Sequence, residues 1–489
     1  MEFVINDLMQ SSGVKFGTSG ARGLAAEMTD QVCYTYTKGF LQYLEQTDEL
    51  KKAGETVAIA GDLRPSTGRI MTAVAHAAAD MGYQPMNCGR IPSPAVALYG
   101  LENNCPSIMV TGSHIPADRN GIKFNKCSGE ILKSDEAGIV SQVVTVSEAT
   151  PFEMPAEDDS AAKAYIARYL NVFPANCLRG KKIGIYQHSA VGREQLVEIF
   201  SGLGAEVVPL GWSDTFIPVD TEAIRDEDVA LAKQWAAEQG FDTILSTDGD
   251  SDRPLISDEN GGWLRGDIAG ILAARYLGAD SVSTPVSCNS ALEKTGWFAD
   301  VRRTKIGSPY VIASMIAAVE KGNKGVVGYE ANGGFLTNSS FPMFAKSLRA
   351  LPTRDAVLPV LSIILLSIQE KKTISGLRAD LPQRFTASDR IQDFPTEESA
   401  KIIARFADVA AIEAAFGDAF GKVESVDRTD GLRVTFQPFD DAQGRGSEVL
   451  HMRPSGNAPE FRCYNEAGSQ TRVLEMQKQS MEILLQLKG

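Results

Sequence analysis

Four short segments of this sequence combine side chains that can bind, activate or carry a charged group. Thr247-Asp-Gly-Asp-Ser-Asp-Arg-Pro254 places Asp248, Asp250 and Asp252 at alternate positions after the apolar run Thr243–Ser246. In extended backbone these carboxylates fall on one side. Three like charges pointing together repel strongly unless a cation lies between them. Hard oxygen donors of this kind suit Mg²⁺. A calcium EF-hand loop also matches Asp248, Asp250, Asp252 and Glu259, but it needs Gly at its sixth position, where this chain has Arg253. Its flanks also read as strands rather than helices.

A second segment, Val110 to Phe124, follows the apolar strand Ser107–Val110 and carries Ser113 beside His114, ten residues before Lys123. Gly112 frees the backbone and Pro116 stiffens the exit. A hydroxyl on a tight loop beside a potential base is what nucleophilic or phosphoryl-carrier chemistry requires. In Gly328-Tyr-Glu-Ala-Asn-Gly-Gly334, Glu330 and Asn332 alternate onto one face among glycines. A carboxylate beside an amide suits vicinal hydroxyls, as on a sugar. The fourth segment, His451 to Arg462, gathers Arg453, Ser455, Gly456, Asn457 and Arg462. Guanidinium forks, hydroxyls and exposed N–H groups are the parts of a phosphate cradle. Phe16-Gly-Thr-Ser-Gly-Ala-Arg-Gly23 adds a weaker Gly and hydroxyl loop whose Arg22 can face a phosphate. His76 falls in an apolar helix and reads as structural, whereas His188 lies at a strand end with no role that the sequence decides.

The elements around these loops alternate strand and helix. Val57–Asp62 reads as a strand and Arg69–Gly82 as a helix. Lys182–Tyr186, Arg193–Gly204 and Ala205–Gly211 repeat the strand, helix, strand order, and a weaker copy runs over Ser281–Ser287 and Ala299–Gly307. Three βαβ-type units of this kind predict three serial α/β domains. The remainder reads differently. Helices over Glu397–Phe406 and Arg472–Leu487 flank strand-like segments at Lys422–Asp427, Gly431–Phe436, Glu448–Gly456 and Glu460–Ala467, an α+β pattern. The expected domains are residues 1–155 with the serine loop, 156–262 with the carboxylate loop, 263–380 with the Glu330 loop and 381–489 with the Arg453 loop.

The whole-chain composition narrows the function classes. The 489 residues are 43% hydrophobic and 22% charged, a globular balance. With 48 basic and 62 acidic side chains the net charge is −14. Such a chain repels phosphate backbones, so neither nucleic acid nor an anionic membrane is an expected partner. Seven cysteines at 33, 88, 105, 127, 177, 288 and 463 form no C-x-x-C pair. They read as reduced thiols rather than a disulfide framework or zinc site. The first ten residues lack the basic and apolar regions of a signal peptide. The longest apolar stretch, within Ala356–Leu366, is too short to span a bilayer and contains Pro359. The expectation is a cytoplasmic protein, and the oligomeric state is not readable.

In this order and spacing, the five loops resemble the α-D-phosphohexomutase family across almost the whole chain. KFGTSGARG resembles its N-terminal loop and TGSHIPADRNGIKF its phosphoserine loop. DGDSDRP is similar to its metal loop, GYEANGG stands at its sugar loop, and RPSGNAPEFR resembles its phosphate loop. RTKIGSPYV, from Arg303 to Val311, resembles a further family segment. The resemblance implies four domains around a central cleft, closing over substrate. It implies that Ser113 carries the phosphoryl group and that Asp248, Asp250 and Asp252 hold one Mg²⁺, with Ser113 supplying a further ligand oxygen. His114, Lys123, Arg253 and Arg22 would serve the reacting end, with Lys123 or His114 moving the hydroxyl proton. Glu330 and Asn332 would read sugar hydroxyls, and Arg453, Ser455, Gly456, Asn457 and Arg462 would grip the non-reacting phosphate.

The implied activity interconverts hexose 1-phosphate and hexose 6-phosphate through a 1,6-bisphosphate, which also serves as activator. Mannose phosphate is the expected substrate and glucose phosphate the second. Phosphoglucosamine mutase is the alternative within the family. The chain departs from the family pattern at Ile115, Ser308, Asn332, Gly334 and Asn457. The departures at 308, 332 and 334 bear on sugar identity more than on reaction type. Two readings lie outside the family. A haloacid-dehalogenase-like phosphatase with Asp248 as nucleophile leaves the Ser113 and Arg453 loops unused. The other is a non-catalytic sugar-phosphate-binding protein.

Overall fold

The computed structural model describes all residues except 18–19, 51–53, 147–150, 438–445, 456–459 and 488–489. The chain forms two compact units, Met1–Val282 with Ser308–Leu377, and Ser283–Gly307 with Arg378–Gly489.

The first unit begins with a mixed sheet ordered Lys15–Phe16, Gly20–Leu24, Arg119–Lys126, Ser107–Val110, Thr56–Gly61, Gln84–Arg90. Thr56–Gly61 runs parallel to both its neighbours, and from Val57 onward it is buried on both faces. This is why it reads as an unbroken apolar run. The helix Thr67–Asp80 covers the sheet with Ile70, Met71, Ala73, Val74, Ala77 and Ala78. That is the i, i+3, i+4 stripe its sequence shows. A second sheet is ordered Glu206–Trp212, Lys182–His188, Thr243–Thr247, Pro254–Ile256. Its first three strands are parallel and its last pair antiparallel. Ser107–Val110 and Thr243–Thr247 thus lead into the serine and carboxylate loops from their C-terminal ends, where open α/β sheets place ligand sites.

The strand Val326–Tyr329 pairs antiparallel with Phe335–Thr337, so residues 330–334 close a hairpin. The apolar stretch around Pro359 is the buried helix Val357–Glu370, which packs on the equally buried helix Gly266–Leu277. Pro359 falls in the first turn, where its missing N–H costs nothing. Among the described residues no helix is long and apolar enough to cross a membrane. All seven cysteines are free thiols.

The third expected repeat is present in its two strands, Ser281–Pro285 and Asp300–Thr304, with a short helix between them. Its helix is one turn, Ala291–Lys294, and its strand Ser281–Pro285 carries the chain from the first unit into the second. The second unit is built on an antiparallel sheet ordered Phe385–Ile391, Phe461–Ala467, Glu448–Pro454, Leu432–Gln437, Lys422–Asp427. Helices Thr396–Arg405, Val409–Phe420 and Gln470–Leu487 seal one core around Phe416, Phe420, Phe436 and Leu450. The helix Val409–Phe420 is an element the sequence analysis did not place.

Candidate active site

Ser113 is fully buried one turn beyond the strand Ser107–Val110, in the left-handed region at φ +56°. Its N–H donates to Thr111 Oγ1 at 2.8 Å and its hydroxyl to Asp248 Oδ2 at 2.6 Å. The serine loop and the carboxylate loop therefore meet at this hydroxyl. His114 Nδ1 lies 3.4 Å from Ser113 Oγ but accepts a hydrogen bond from Arg253 Nη1 at 2.9 Å. Arginine can only donate, so Nδ1 carries no proton. Burial, and then the charge of Arg253, push the imidazole down to about 3. His114 is neutral, with its Nε2 3.9 Å from Asp220 Oδ2.

The three aspartates do not sit on extended backbone, as their alternation suggested. After Thr247 the chain closes a tight turn in which Ser251 takes φ +56°. The N–H of Ser251 donates to the Asp248 carbonyl at 3.1 Å, and that of Arg253 to Asp248 Oδ1 at 3.2 Å. This turn, rather than strand alternation, brings the carboxylates together. One oxygen from each lies within 4.8 Å of the others.

Lys123 Nζ donates to Asp250 Oδ2 at 2.5 Å and to Asp252 Oδ2 at 2.6 Å, and Ser93 Oγ donates to Asp250 Oδ2 at 2.8 Å. Burial works against ionisation of Asp250, but Lys123 outweighs it and holds the carboxyl far below the usual range. Asp252 is likewise held low against burial, chiefly by Arg354, whose Nε lies 3.2 Å away. Asp248 is driven well above the ordinary carboxylate range by burial and by the charges of Asp250 and Asp252. Asp250 Oδ1 and Asp252 Oδ1 are buried without a hydrogen-bond partner. Orphaned carboxylate oxygens beside a third carboxylate are the donor set of a hard divalent cation, and the residues fit Mg²⁺.

Glu330 is buried, with Arg354 Nη1 3.5 Å from its Oε2. Asn332 spends its amide oxygen on the Gly334 N–H at 3.0 Å, within its own turn, and its carbonyl accepts from Thr221. Only its NH₂ end remains to reach outward. Gly334 is required by close approach, since a Cβ there would lie 2.4 Å from Arg354 Cδ. Arg22 lies in the strand Gly20–Leu24, opposite Gly121. Burial, then the nearby charges of Arg253 and Arg354, bring it down to about 10, still cationic at neutral pH. Three guanidiniums and an ammonium crowded around carboxylates can bind an anion that arrives with a divalent cation.

In the second unit, Arg453 and Arg462 stand directly opposite in the antiparallel pair Glu448–Pro454 and Phe461–Ala467. Like charges facing across a ladder are destabilising on their own. Asp430 lies 3.2 Å from Arg453 Nε, and Glu460 3.1 Å from Arg462 Nη2. Ser455 is buried, its N–H on the Glu460 carbonyl at 2.8 Å. Gly456 and Asn457 lie outside the described residues.

Sequence reasoning missed Arg354, Ser93 and Asp220. Each touches a residue far away in the chain, and none stands in a recognisable motif. His188, undecided from sequence, is buried and donates Nε2–H to the Thr247 carbonyl at 2.9 Å, bracing the start of the carboxylate turn. His76 packs between the rings of Tyr34 and Phe152, as its structural reading expected. Ser308 is fully buried and donates to Glu130 Oε2 at 3.1 Å.

Family models match three consecutive segments. They are described as phosphoglucomutase/phosphomannomutase alpha/beta/alpha domain I over residues 13–150, domain II over 163–262 and domain III over 265–385. A phosphomannomutase of Salmonella muenchen is 45% identical over 466 residues, covering 95% of this chain and 94% of the relative. A phosphomannomutase of Sinorhizobium fredii is 42% identical over 478 residues, covering 96% and 99%. A crystal structure of a phosphoglucomutase/phosphomannomutase family protein from Burkholderia thailandensis superposes with TM-score 0.74 at 19% identity, over 96% of this chain and 97% of that one. With its serine hydroxyl on a carboxylate triad and these matches along nearly its whole length, the chain belongs to the phosphoglucomutase/phosphomannomutase family of the α-D-phosphohexomutases.

Proposed function

We propose that this chain interconverts mannose 1-phosphate and mannose 6-phosphate, with glucose phosphates as second substrates, through phosphorylated Ser113 and a hexose 1,6-bisphosphate. The observation that carries this reading is the Ser113 hydroxyl 2.6 Å from Asp248 in a buried triad of carboxylates. In the first half-reaction the bond from phosphorus to the Ser113 oxygen breaks and a bond to a sugar oxygen forms, while the sugar hydroxyl loses a proton and Ser113 gains one. In the second, the bond from the bisphosphate's other phosphorus to its sugar oxygen breaks, a bond to the Ser113 oxygen re-forms, and the proton passes from Ser113 to the sugar oxygen. His114 has its Nδ1 lone pair taken by Arg253. Lys123 is therefore assigned to the proton, giving one to Ser113 Oγ as the phosphoryl group leaves and regaining one from the sugar hydroxyl.

Asp248, Asp250 and Asp252, with an oxygen of phosphorylated Ser113, would hold Mg²⁺, which when bound would supply charge neutralisation for the transferring group. Arg22 and Arg253 offset the remaining charge at the reacting end. Glu330 and the Asn332 amide are assigned to sugar hydroxyls. Arg453, Ser455, Gly456, Asn457 and Arg462 are assigned to the phosphate that does not react.

The bisphosphate must turn end for end before the second transfer. The contacts that hold it must therefore survive the turn, and guanidinium forks accept either phosphate. Reading the 3- and 4-hydroxyls, which mannose and glucose share, leaves the 2-hydroxyl weakly read, so discrimination between them is small. The same bisphosphate, added in trace, charges Ser113 and acts as activator. A cytoplasmic location agrees with a sugar phosphate substrate.

The test is a coupled assay with Mg²⁺ and a trace of hexose 1,6-bisphosphate on mannose, glucose and glucosamine 1-phosphates. The expected order of kcat/KM is mannose, then glucose, then glucosamine. Release of inorganic phosphate without isomerisation would instead make the chain a phosphatase.

A further inference from the structure

Arg64 is almost completely buried, 2% exposed, three residues beyond the strand Thr56–Gly61. Every N–H of its guanidinium has an acceptor. Nε donates to Asp62 Oδ2 at 3.0 Å. Nη1 donates to the carbonyls of Pro116 at 2.6 Å and Arg119 at 3.2 Å. Nη2 donates to the carbonyls of Ser113 at 2.7 Å and Ile115 at 2.6 Å. One side chain thus takes up four backbone carbonyls of the serine loop.

Asp62 extends the hold. Its Oδ2 accepts from Thr111 Oγ1 at 2.7 Å, and Thr111 Oγ1 in turn accepts the Ser113 N–H at 2.8 Å. The amide before the Ser113 Cα and the carbonyl after it are therefore both anchored to the same Asp62–Arg64 pair. Ser113 is kept at φ +56°, in the left-handed region that strains an L-residue. The Phe216 ring, 4.1 Å from Arg64 Cζ, covers the guanidinium face. A side chain at 112 would meet the same group, with a Cβ 2.7 Å from Cζ, so Gly112 is a fitted part of this arrangement.

We propose that Arg64 is a positioning residue for the phosphoryl carrier, a five-donor template that holds Ser113 in the left-handed geometry from which its hydroxyl meets Asp248. Its guanidinium N–H groups are all spent on Asp62 and loop carbonyls, so it acts through the backbone of Ser113, on the rate at which that residue takes up and gives up phosphate. This role rests on the mutase reading above. It needs a planar fork, because a lysine ammonium offers three donors from one point and cannot span four carbonyls.

The test uses the full chain and the variants Arg64→Lys and Thr111→Val. Thr111→Val removes the acceptor of the Ser113 N–H while keeping side-chain shape, and it serves if Arg64→Lys does not fold. Phosphate transfer from glucose 1,6-bisphosphate to Ser113 is followed by intact mass, and kcat and KM are measured on mannose 1-phosphate. Displacement of a reacting atom by about 1 Å costs on the order of 10²-fold in rate. A loss of about that size is expected in phosphorylation rate and kcat for Arg64→Lys, and a smaller one for Thr111→Val. KM should stay within about twofold, since the guanidinium holds backbone and not ligand.

Wild-type phosphorylation and kcat in a folded variant would overturn the role. So would a kcat loss matched by an equal rise in KM. Failure of the unmodified chain to take phosphate on Ser113 would overturn the mutase reading itself, and this inference with it. Phosphorylation of the unmodified chain with unaffected variants removes only the positioning role.

Discussion

Ser113 joins two loops that lie far apart in sequence, and its hydroxyl is the one group whose loss tests both. Ser113→Ala should reduce turnover to background in the coupled assay. It removes one hydrogen bond, to Asp248. A typical hydrogen bond contributes about 1 kcal/mol, so the cooperative urea transition should persist. Turnover near the wild-type level would refute the carrier role. His188 is a second test at this scale, because burial lowers its imidazole from the ordinary value to about 4. Unfolded, it binds its proton near pH 6.5, so the unfolded chain takes up protons first as pH falls. Stability from this group is therefore complete above about pH 7 and is lost between roughly pH 6.5 and 4, on the order of 3 kcal/mol in all. His188→Gln, which keeps a donor for the Thr247 carbonyl, should flatten that part of the pH dependence in urea titrations. An unchanged slope would show that His188 does not stay neutral in the fold. Ser113 and the aspartates were legible in the sequence because residue type and local spacing alone suggest their chemistry. Arg354 and Arg64 were not, because their meaning lies in partners up to 102 residues away, the Asp252 carboxylate for the one and the carbonyls of 113–119 for the other.

The strands that carry these loops could be read from their apolar runs, and Lys422–Asp427 was placed to the residue. What the sequence could not give was the shape of the loops between strands. Alternating carboxylates look like a strand face, yet Ser251 at φ +56° folds them into a turn, and nothing in residue type announces that conformation for a serine. The helix Val409–Phe420 carries Ile412, Phe416 and Phe420 on its buried face, a readable stripe that the neighbouring helix and strands drew attention from. The Arg453 hairpin makes the prediction for this scale. Its two arginines face each other across the ladder, and an anion between them would relieve that repulsion. Arg453→Ala removes charge-assisted hydrogen bonds worth roughly 1.5–3 kcal/mol each, which corresponds to about ten- to hundredfold in KM. The group it is assigned to does not react, so kcat should fall less than KM rises. An unchanged KM would take this hairpin out of substrate binding.

For the molecule as a whole, the consequence follows from how the charge is divided. The carboxylate triad, Lys123, Arg253 and Arg354 all belong to the first unit, whereas the Arg453 hairpin has its own sheet and core in the second. A cation bound by Asp248, Asp250 and Asp252 stabilises only the state in which they converge. At a concentration near 100 times its Kd that linkage is worth about 2.7 kcal/mol. Mg²⁺ alone, with no sugar phosphate present, should therefore slow hydrogen exchange in the segments 107–124 and 243–256 and leave 422–437 and 448–454 unchanged. Removing the ion with a chelator should reverse the effect. The aspartates are buried and two of their oxygens lack partners, so the apo state carries an electrostatic cost that the ion relieves. Asp252→Asn should abolish the Mg²⁺ response, because an amide offers a neutral oxygen in place of a ligand charge. Protection that rose equally in both units would place the cation's effect elsewhere than this triad, and no protection at all would mean that the triad holds no Mg²⁺.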